Sequence, residues 1–321
     1  MRRFVAVRLG HAIVVLFIVA TIAFFLTHLA PGDPFALGNP SISPAIRDVW
    51  RKQFGYDRPL AEQYVRYIGS VAQGKLGYSH YAHAPVAEAL GRYVPRTLLL
   101  MGVSLALSFL VAVKLGVYEV RHARTRRARA TNAASLLVYS LPDFWLALMM
   151  LLIFADWLPV LPAGGMIDPV MHDYMSLAGR AWDRLKHMIL PVTTLVLLLS
   201  AFLVRFQRAA LLEVLPSDYV RSARAKGLDE RTVVGRHALR NALLPMITLA
   251  GLIFPALLGG AVFVEKVFSW PGMGLAVVNA INTRDYPLVV ATVVVGGAMV
   301  VLGNFLADVA YALADPRIRV R

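Results

Sequence analysis

The sequence predicts an all-α polytopic membrane protein with six transmembrane helices. Hydrophobic residues make up 58% of its 321 residues, and the mean hydropathy is +0.61, both higher than is usual for a soluble domain. A helix needs roughly 20 apolar residues to cross the hydrocarbon core of a bilayer. Six stretches qualify, at about 7–29, 97–119, 132–155, 187–206, 243–264 and 286–310.

The distribution of charge predicts the orientation of these spans. The formal net charge is +14, and the basic excess lies at the N-terminus, in 120–131, in 205–242 and in the tail. The other connections are nearly balanced. Because basic connections stay on the cytoplasmic side, we expect a multi-pass protein with both termini in the cytoplasm. The charge then sets topology within membrane lipids, and no nucleic-acid partner is expected.

The spans and connections predict the domain organisation. The first span follows Met1-Arg2-Arg3 without an A-x-A-like cleavage site, so we interpret it as retained rather than as a signal peptide. The predicted parts are an N-terminal transmembrane helix, an external segment with its own fold, a transmembrane core that contains a cytoplasmic loop, and a cytoplasmic tail. Their boundaries are 1–29, 30–96, 97–310 with the loop at 207–242, and 311–321.

Polar and helix-breaking residues in the spans have open interpretations. Asp143, beside Pro142, could be a structural partner or part of a pore, and Asp308 could be interfacial. Three prolines fit packing geometry better than a gating hinge, namely Pro191, Pro245 and Pro255. Three histidines lack a second ligand at helical spacing and are expected at the interface, namely His11, His28 and His187.

Several patterns resemble catalytic or ligand sites without completing them. Residues 69–76 have the spacing of a phosphate-binding loop up to Lys75, but the next residue is not Ser or Thr and no apolar strand precedes them. His80 and His83 would need a third metal ligand, and a surface turn explains them equally well. Asp168 and Asp173 fit solvated surface acids better than a site that steers cations. The chain has no cysteine, and we expect neither a metal site nor enzymatic activity.

The basic loop at 207–242 has a clear local pattern. Pro216 ends the preceding helix, Ser217 is placed as an N-cap, and Gly227 is placed as a left-handed stop. These signals predict a short helix over 218–226. Asp229 is placed to cap a second helix that leads into the next span.

The short helix combines small and basic side chains. Ser222, Ala223 and Ala225 would permit close approach of a partner, while Arg221, Arg224 and Lys226 surround them with positive charge. From these residues alone, two interpretations stand equally. The helix either transmits movement from a soluble protein or rests on anionic lipid headgroups.

The loop resembles the EAA-type coupling loop of ABC importer permeases. Arg221-Ser222-Ala223 stands where Glu-Ala-Ala is expected, and Gly227 has the expected spacing. The leading arginine and the sequence at 237–240 depart from the general pattern but are typical of the peptide and nickel subgroup. Further blocks resemble that subgroup in the same order along the chain, at 31–34, 189–191, 268–274, 284–287 and 315–319.

The resemblance implies a type I ABC importer permease fold and a transport subunit in the inner or plasma membrane of a prokaryotic cell. The implied partners are a paralogous permease, two ATP-binding cassette subunits and an extracytoplasmic substrate-binding protein. ATP and magnesium would bind the partner subunits, with no cofactor in this chain. The residues implied to couple to the ATPase subunits are Asp218, Tyr219, Arg221, Ser222, Ala223, Arg224, Ala225, Lys226 and Gly227.

The substrate stays open at this point, and no substrate-binding residue can be named. Dipeptides and oligopeptides are expected first, while relatives also carry nickel complexes, glutathione or sugars. The alternative class is an ATP-independent secondary transporter, which would be favoured by inverted repeats or by charges spread through the spans.

Overall fold

The computed structural model describes the backbone of residues 2–29, 57–260 and 262–314. Side chains are described within these ranges except at 2–9, 12, 27, 254–260 and 306–314. The blocks predicted at 31–34 and 315–319 therefore lie outside the described residues, as do the side chains of Pro255 and Asp308.

The described chain is built almost entirely from helices, with one short hairpin. The helices are α1 (Arg2–Leu29), α2 (Leu60–Ala72), α3 (Val86–Arg121), α4 (Arg126–Tyr139), α5 (Asp143–Leu151), α6 (Leu177–Val214), α7 (Asp218–Ala225), α8 (Glu230–Thr232), α9 (Leu239–Ala242), α10 (Leu244–Gly260), α11 (Val262–Val267), α12 (Met273–Asn282) and α13 (Tyr286–Ala314). Leu152–Trp157 and Val233–Ala238 are π-helical, and His172–Tyr174 forms a single 3₁₀ turn. Strands β1 (Tyr78–Ser79) and β2 (Ala84–Pro85) pair antiparallel.

Three helices of the described residues are long and apolar enough to cross a membrane. They are α3, α6 and the part of α13 from Tyr286 to Phe305, and they coincide with the second, fourth and sixth predicted spans. The first and fifth predicted spans coincide with shorter described apolar helices at Ile13–Leu26 and Leu244–Ile253. The all-α membrane fold expected from hydropathy is confirmed.

The third predicted span is wrong as one continuous helix. Helix α4 ends at Tyr139. The next helix, α5 with its π-helical extension to Trp157, is bent by 104° relative to α4. Pro142 lies at this break in an extended conformation, with φ −62° and ψ 138°. Proline has no backbone N–H to continue a helix, and it disfavours helical geometry in the residue before it. Among the described residues there are thus three candidate spans, or four if this bent pair is counted as one.

The described residues group into two compact units. The first lies within Met1–Thr97 and Pro271–Leu302. Its core is formed by α12, the start of α13 and the residues that follow the hairpin, including Val86, Leu90 and Leu288. Helix α1 lies against α13 in this unit, because a Cβ at Gly297 would meet Val19 at 3.3 Å.

The second unit lies within Leu98–Trp270 and Gly303–Arg321. Its largest buried side chains include Trp270 and Phe268, which pack with Leu100 and Leu190. The backbone approaches itself closely here, since a Cβ at Gly164 would lie 2.7 Å from the carbonyl oxygen of Phe268. A second apolar cluster surrounds α7 and organises the loop that follows α6.

Candidate functional site

The predicted short helix of the 207–242 loop is present as α7, Asp218–Ala225. Ser217 stands at its N-cap position in extended geometry, with φ −65° and ψ 152°. Its hydroxyl does not cap the helix as predicted, because it donates instead to the carbonyl of Val214 at 2.6 Å. Ser217 therefore holds α7 to the end of α6.

The end of α7 follows the predicted pattern. Gly227 adopts φ +78°, a left-handed conformation that favours glycine. The backbone N–H of Gly227 donates to the carbonyl of Arg224 at 3.0 Å. Asp229 caps the next short helix by accepting the N–H of Thr232 at 3.3 Å. Hydrogen bonding by Thr232 holds the pKa of the Asp229 carboxyl below its usual value.

One face of α7 is anchored in the protein's own core. Val220 is 0% exposed and Ala223 is 5% exposed. They pack with Leu211 of α6 and with Val233 and Val234 of the π-helical segment, all of them buried. The three-residue spacing of Val220 and Ala223 places both on the same side of the helix. Non-directional apolar contact therefore fixes this helix to its neighbours.

The opposite face of α7 and its C-terminal end are exposed. The exposed residues among those predicted to couple are Asp218, Tyr219, Arg221, Ser222, Arg224, Ala225, Lys226 and Gly227. Ala223 was expected to be a small residue accessible to a partner. The structure instead buries it in the apolar cluster described above. Ser222 and Ala225 remain as the small residues on the accessible face.

Two ion pairs order the charged surface of this loop. Arg221 pairs with Asp218 along α7. Arg224 binds Glu230 through two hydrogen bonds, Nη2 to Oε1 at 2.8 Å and Nε to Oε2 at 3.2 Å. The second pair ties α7 to α8 across the turn at Gly227. Both pairs are exposed, so each contributes little to stability and mainly restricts side-chain geometry.

Next to the 207–242 loop, helices α3 and α6 are in close contact. A Cβ at Gly116 would lie 2.9 Å from Cγ of Gln207, so this glycine permits the close approach. Glu119 is buried beside it, at 2% exposure, and Arg208 Nε lies 3.8 Å from its Oε2. Neither Glu119 oxygen has a hydrogen-bond partner within the described part of the chain. The base of the loop thus contains a buried carboxylate beside the Arg208 guanidinium.

The segment that resembles a phosphate-binding loop has a different role. Residues 69–76 run over the C-terminal end of α2, where Gly74 has φ +72° and Lys75 N donates to the carbonyl of Ser70. Phosphate is favoured at a helix N-terminus, where the macrodipole is positive, and not at this end. The segment is a helix stop that leads into the hairpin.

The hairpin is tied to the start of α13 by Asp285. This carboxylate is 1% exposed. Its Oδ2 accepts from the Ser79 hydroxyl at 2.6 Å and from Tyr81 N at 2.9 Å. Its Oδ1 accepts from Leu288 N at 3.2 Å and so caps α13. Asp285 was part of a predicted motif, but its pairing with residues far away in sequence has no local signal.

Asp183 organises the polar segment between the third and fourth predicted spans. His172 Nδ1 lies 2.6 Å from Asp183 Oδ2, and His187 Nδ1 lies 3.2 Å from Oδ1. His187 was predicted at the interface, but its side chain is 8% exposed and faces this carboxylate. Asp168 N also donates to Asp183 at 3.0 Å. The cluster closes the segment onto the start of α6.

Three other side chains singled out in the sequence have ordinary structural roles, namely Asp143, Asp168 and His28. The Asp168 carboxylate accepts from Met171 N and Val170 N, and these bonds hold its pKa below the usual value. Asp143 is exposed in the first turn of α5, where a carboxylate is favoured by the helix dipole. His28 Nε2 lies 3.1 Å from Gln63 Oε1 and links α1 to α2. Within the described residues no group of three or more His, Cys, Asp or Glu side chains could hold a metal.

Long apolar helices joined by folded polar loops, one of them with an open basic face, are the architecture of a polytopic membrane protein. The chain belongs to the family of binding-protein-dependent transport system inner membrane components, whose model matches residues 98–320. The N-terminal model of the same kind of membrane component matches residues 1–101. Together these matches cover nearly the whole chain.

Two curated relatives and one solved structure agree with this assignment. The chain is 36% identical to the oligopeptide transport system permease protein AppB of Bacillus subtilis over 302 residues, 94% of each chain. It is 37% identical to the di/tripeptide transport system permease protein DppB of Pseudomonas aeruginosa over 334 residues, 99% of each chain. A chain of the inward-facing MetNI methionine ABC transporter matches with a TM-score of 0.56, at 20% identity, over 72% of this chain and 98% of that chain. That match supports the fold.

Proposed function

We propose that this chain is the permease subunit of an ATP-driven peptide importer and that α7 is its contact with an ATPase subunit. The observation that carries the proposal is the division of α7 into two faces. Val220 and Ala223 are held in the core, while Ser222 and Ala225 lie exposed among basic side chains. A helix anchored in this way moves together with α6 when a partner displaces it.

We infer the assembly from the kind of transport system to which the family belongs. Two permease chains, two ATP-binding subunits and a substrate-binding protein would form the importer, with ATP and magnesium bound on the ATPase subunits. The basic loop at 207–242 and both termini lie in the cytoplasm, and the 30–96 segment lies outside, as the distribution of Lys and Arg indicates. Closure of the ATPase subunits on ATP would carry α7 along and open the pathway to the other side.

The substrate class is supported by the names of the relatives. AppB is named for oligopeptide transport and DppB for di/tripeptide transport, and both align along nearly all of this chain. Peptides delivered by a binding protein are therefore the first substrates to test. Nickel complexes, glutathione and sugars are the alternative substrates to test, because importers of the same class carry them.

The proposal is tested by replacing Gly227 in the complete importer. Its φ of +78° makes a β-branched residue unfavourable by about 1–3 kcal/mol. Within the described residues, a Cβ built at this position meets no neighbouring atom within 4 Å, so Gly227→Val acts through the backbone and not through a clash. The turn that positions α7 against α8 should then change while the helices stay in the membrane.

The matched control is Gly235→Val. A Cβ added at Gly235 likewise meets no atom within 4 Å in the described part of the chain, and the φ of Gly235 is not positive. In lipid nanodiscs with all partner subunits, Gly227→Val should abolish the ATPase activity that peptide-loaded binding protein stimulates, whereas Gly235→Val should retain most of it. Equal stimulated rates in the two variants would contradict the docking role of α7.

A further inference from the structure

Glu119 of α3 carries a buried carboxylate whose ion pair is incomplete. The residue is 2% exposed, and within the described chain neither carboxylate oxygen has a hydrogen-bond partner. Its ionic partner is Arg208 of α6, but Arg208 Nε lies 3.8 Å from Oε2, which is too far for a hydrogen bond. Burying a carboxylate without hydrogen bonds costs free energy. Native folds rarely keep such a group unless it has a purpose besides stability.

The other polar groups beside Glu119 are already used elsewhere. Thr131 of α4 lies next to the carboxylate, but its hydroxyl donates to a backbone carbonyl of its own helix at 3.0 Å. Gln207, the neighbour of Arg208 in α6, directs its amide nitrogen to the carbonyl of Ala242 at 3.5 Å. The side chain of Arg208 is 39% exposed and therefore has room to move. Arg208 is thus the group that can complete the ion pair.

The two helices that carry this pair touch each other one turn away from it. A Cβ added at Gly116 of α3 would lie 2.9 Å from Cγ of Gln207 and 3.4 Å from N of Arg208, so the helices cannot come closer at this point. Glu119 lies three residues further along α3, on the same side of the helix. A small rotation of α6 about the Gly116 contact therefore changes the distance between Arg208 and Glu119. A change of about 1 Å would bring Nε within the range of a charge-assisted hydrogen bond.

Helix α7 packs against both helices of the pair. The buried cluster around α7 includes Leu211 of α6, three residues beyond Arg208. Val117 and Val120 of α3, which lie on either side of Glu119 in the sequence, pack against the same cluster. A displacement of α7 therefore acts on α3 and α6 directly beside the ion pair.

We propose that Glu119 and Arg208 form a switch of the transport cycle, which is open in this structure and closes to a hydrogen-bonded ion pair in the ATP-bound state. Glu119 is a positioning residue and touches neither peptide nor ATP. Closing the pair gives the buried carboxylate its missing hydrogen bond, and so favours the conformation in which α7 is displaced. The inference rests on the proposed function, in which ATP binding by the partner subunits displaces α7.

The first arm of the test removes the charge of Glu119 and keeps its shape. Glu119→Gln is compared with Glu213→Gln, because Glu213 is an exposed carboxylate near the end of α6. The complete importer is reconstituted in lipid nanodiscs with peptide-loaded binding protein, and its ATPase rate is measured at increasing ATP concentration. This titration separates the maximal rate from the ATP concentration that gives half of it.

We expect Glu119→Gln to raise the half-saturating ATP concentration about fivefold and to change the maximal rate less than about twofold, because ATP must then drive the displacement without the closed pair. Glu213→Gln should change neither quantity. A merely structural defect would lower the maximal rate and leave the half-saturating concentration unchanged. That result, or equal behaviour of the two variants, would overturn the inference.

A double variant shows whether the two side chains act as one pair. If they do, Glu119→Gln combined with Arg208→Gln should shift the half-saturating ATP concentration by no more than the larger of the two single shifts. Independent effects would multiply, to about 25-fold for two fivefold shifts. A multiplied shift would overturn the inference.

The second arm measures the closing directly. Because the chain has no cysteine, Glu119→Cys combined with Arg208→Cys places a single pair of thiols between α3 and α6. Oxidative cross-linking of this pair should be about threefold faster in the vanadate-trapped importer than without nucleotide, because a disulfide requires close approach of both thiols. The control pair, Ala112→Cys with Leu203→Cys, joins two members of one buried cluster on the other side of the Gly116 contact, and its cross-linking should not become faster.

The outcomes separate this inference from the proposed function. Cross-linking of the 119–208 pair that is equal or slower in the trapped state, or that accelerates together with the control pair, would overturn the switch and leave the proposed function standing. An unmodified importer whose ATPase activity does not respond to peptide-loaded binding protein would overturn the proposed function and this inference with it.

Discussion

Helix α7 and the hairpin of β1 and β2 are both small elements that pack on long helices, but different kinds of contact hold them there. Helix α7 is held by apolar side chains, Val220 and Ala223, and its charged groups face outward. The hairpin is held by a buried carboxylate, Asp285, that accepts from Ser79. Each therefore presents an accessible surface that its anchor does not use.

The two anchors differ in what they fix. The stabilisation from apolar burial is roughly proportional to the buried area and depends little on direction. It therefore keeps α7 attached while permitting small shifts. Hydrogen bonds to a buried carboxylate fix distance and angle, so they keep the hairpin in one orientation. The comparison predicts that a polar side chain introduced into the apolar cluster around α7 destabilises the protein. It also predicts that removing a polar group from the anchor of the hairpin destabilises the protein.

The largest effect is expected from Val220→Asp. This change puts a carboxylate into a fully buried apolar cluster, which should cost about 4 kcal/mol of stability or more. The thermal midpoint in detergent, followed by tryptophan fluorescence, measures it. Tyr219→Asp is the control on the exposed side of the same helix and should leave the midpoint nearly unchanged. Similar losses in both variants would refute an apolar anchor.

A loss of about 3 kcal/mol is expected from Asp285→Ala, because the Ser79 hydroxyl and two backbone N–H groups lose their acceptor. The exposed Asp173, replaced by alanine, serves as the control for loss of a carboxylate. The same thermal measurement applies. If Asp285→Ala unfolds no earlier than Asp173→Ala, the polar anchor of the hairpin is disproved.

A small effect is expected from Arg224→Ala. The Arg224–Glu230 pair is exposed, so its loss should cost only about 0.5 kcal/mol of stability. Glu230→Ala and the double variant complete a mutant cycle that isolates the energy of the pair. A coupling energy above about 2 kcal/mol would mean that charge, and not apolar contact, fastens α7.

The smallest effect concerns the cap at Asp229. Its pKa is held below the usual value, so the charged carboxylate stabilises the fold above pH 4 or so, the ordinary pKa of an aspartate. That contribution is lost as the pH falls through the lowered pKa of the folded state. The midpoint difference between the unmodified protein and Asp229→Ala should therefore narrow only in strong acid. A difference that instead grew as the pH fell would rule out capping by the charged form.

Local signals in the sequence predicted part of this arrangement. Pro216, Gly227 and Asp229 act through neighbouring backbone, so they placed α7 and the turn after it correctly. The hydropathy of 132–155 did not reveal the 104° bend. Hydropathy is a mean over many residues, so one proline, Pro142, changes it little.

Long-range partners could not be predicted in the same way. Asp285 and Ser79 are 206 residues apart, and nothing near either residue indicates the other. Ala223 was expected to face a partner because it is small, whereas Val220 was left out of the site. Val220 and Ala223 are three residues apart and therefore lie on the same side of a helix. This spacing is the signal that could have placed both residues on the buried face.

The central claim, that the exposed face of α7 meets an ATPase subunit, is tested most directly by cross-linking from two adjacent positions. Because the chain has no cysteine, Ser222→Cys and Ala223→Cys each provide one thiol, the first exposed and the second buried. In the assembled importer, a thiol-to-amine cross-linker should join position 222, but not position 223, to the ATPase subunit. Equal cross-linking from both positions, or none from position 222 in an importer that hydrolyses ATP, would contradict the account.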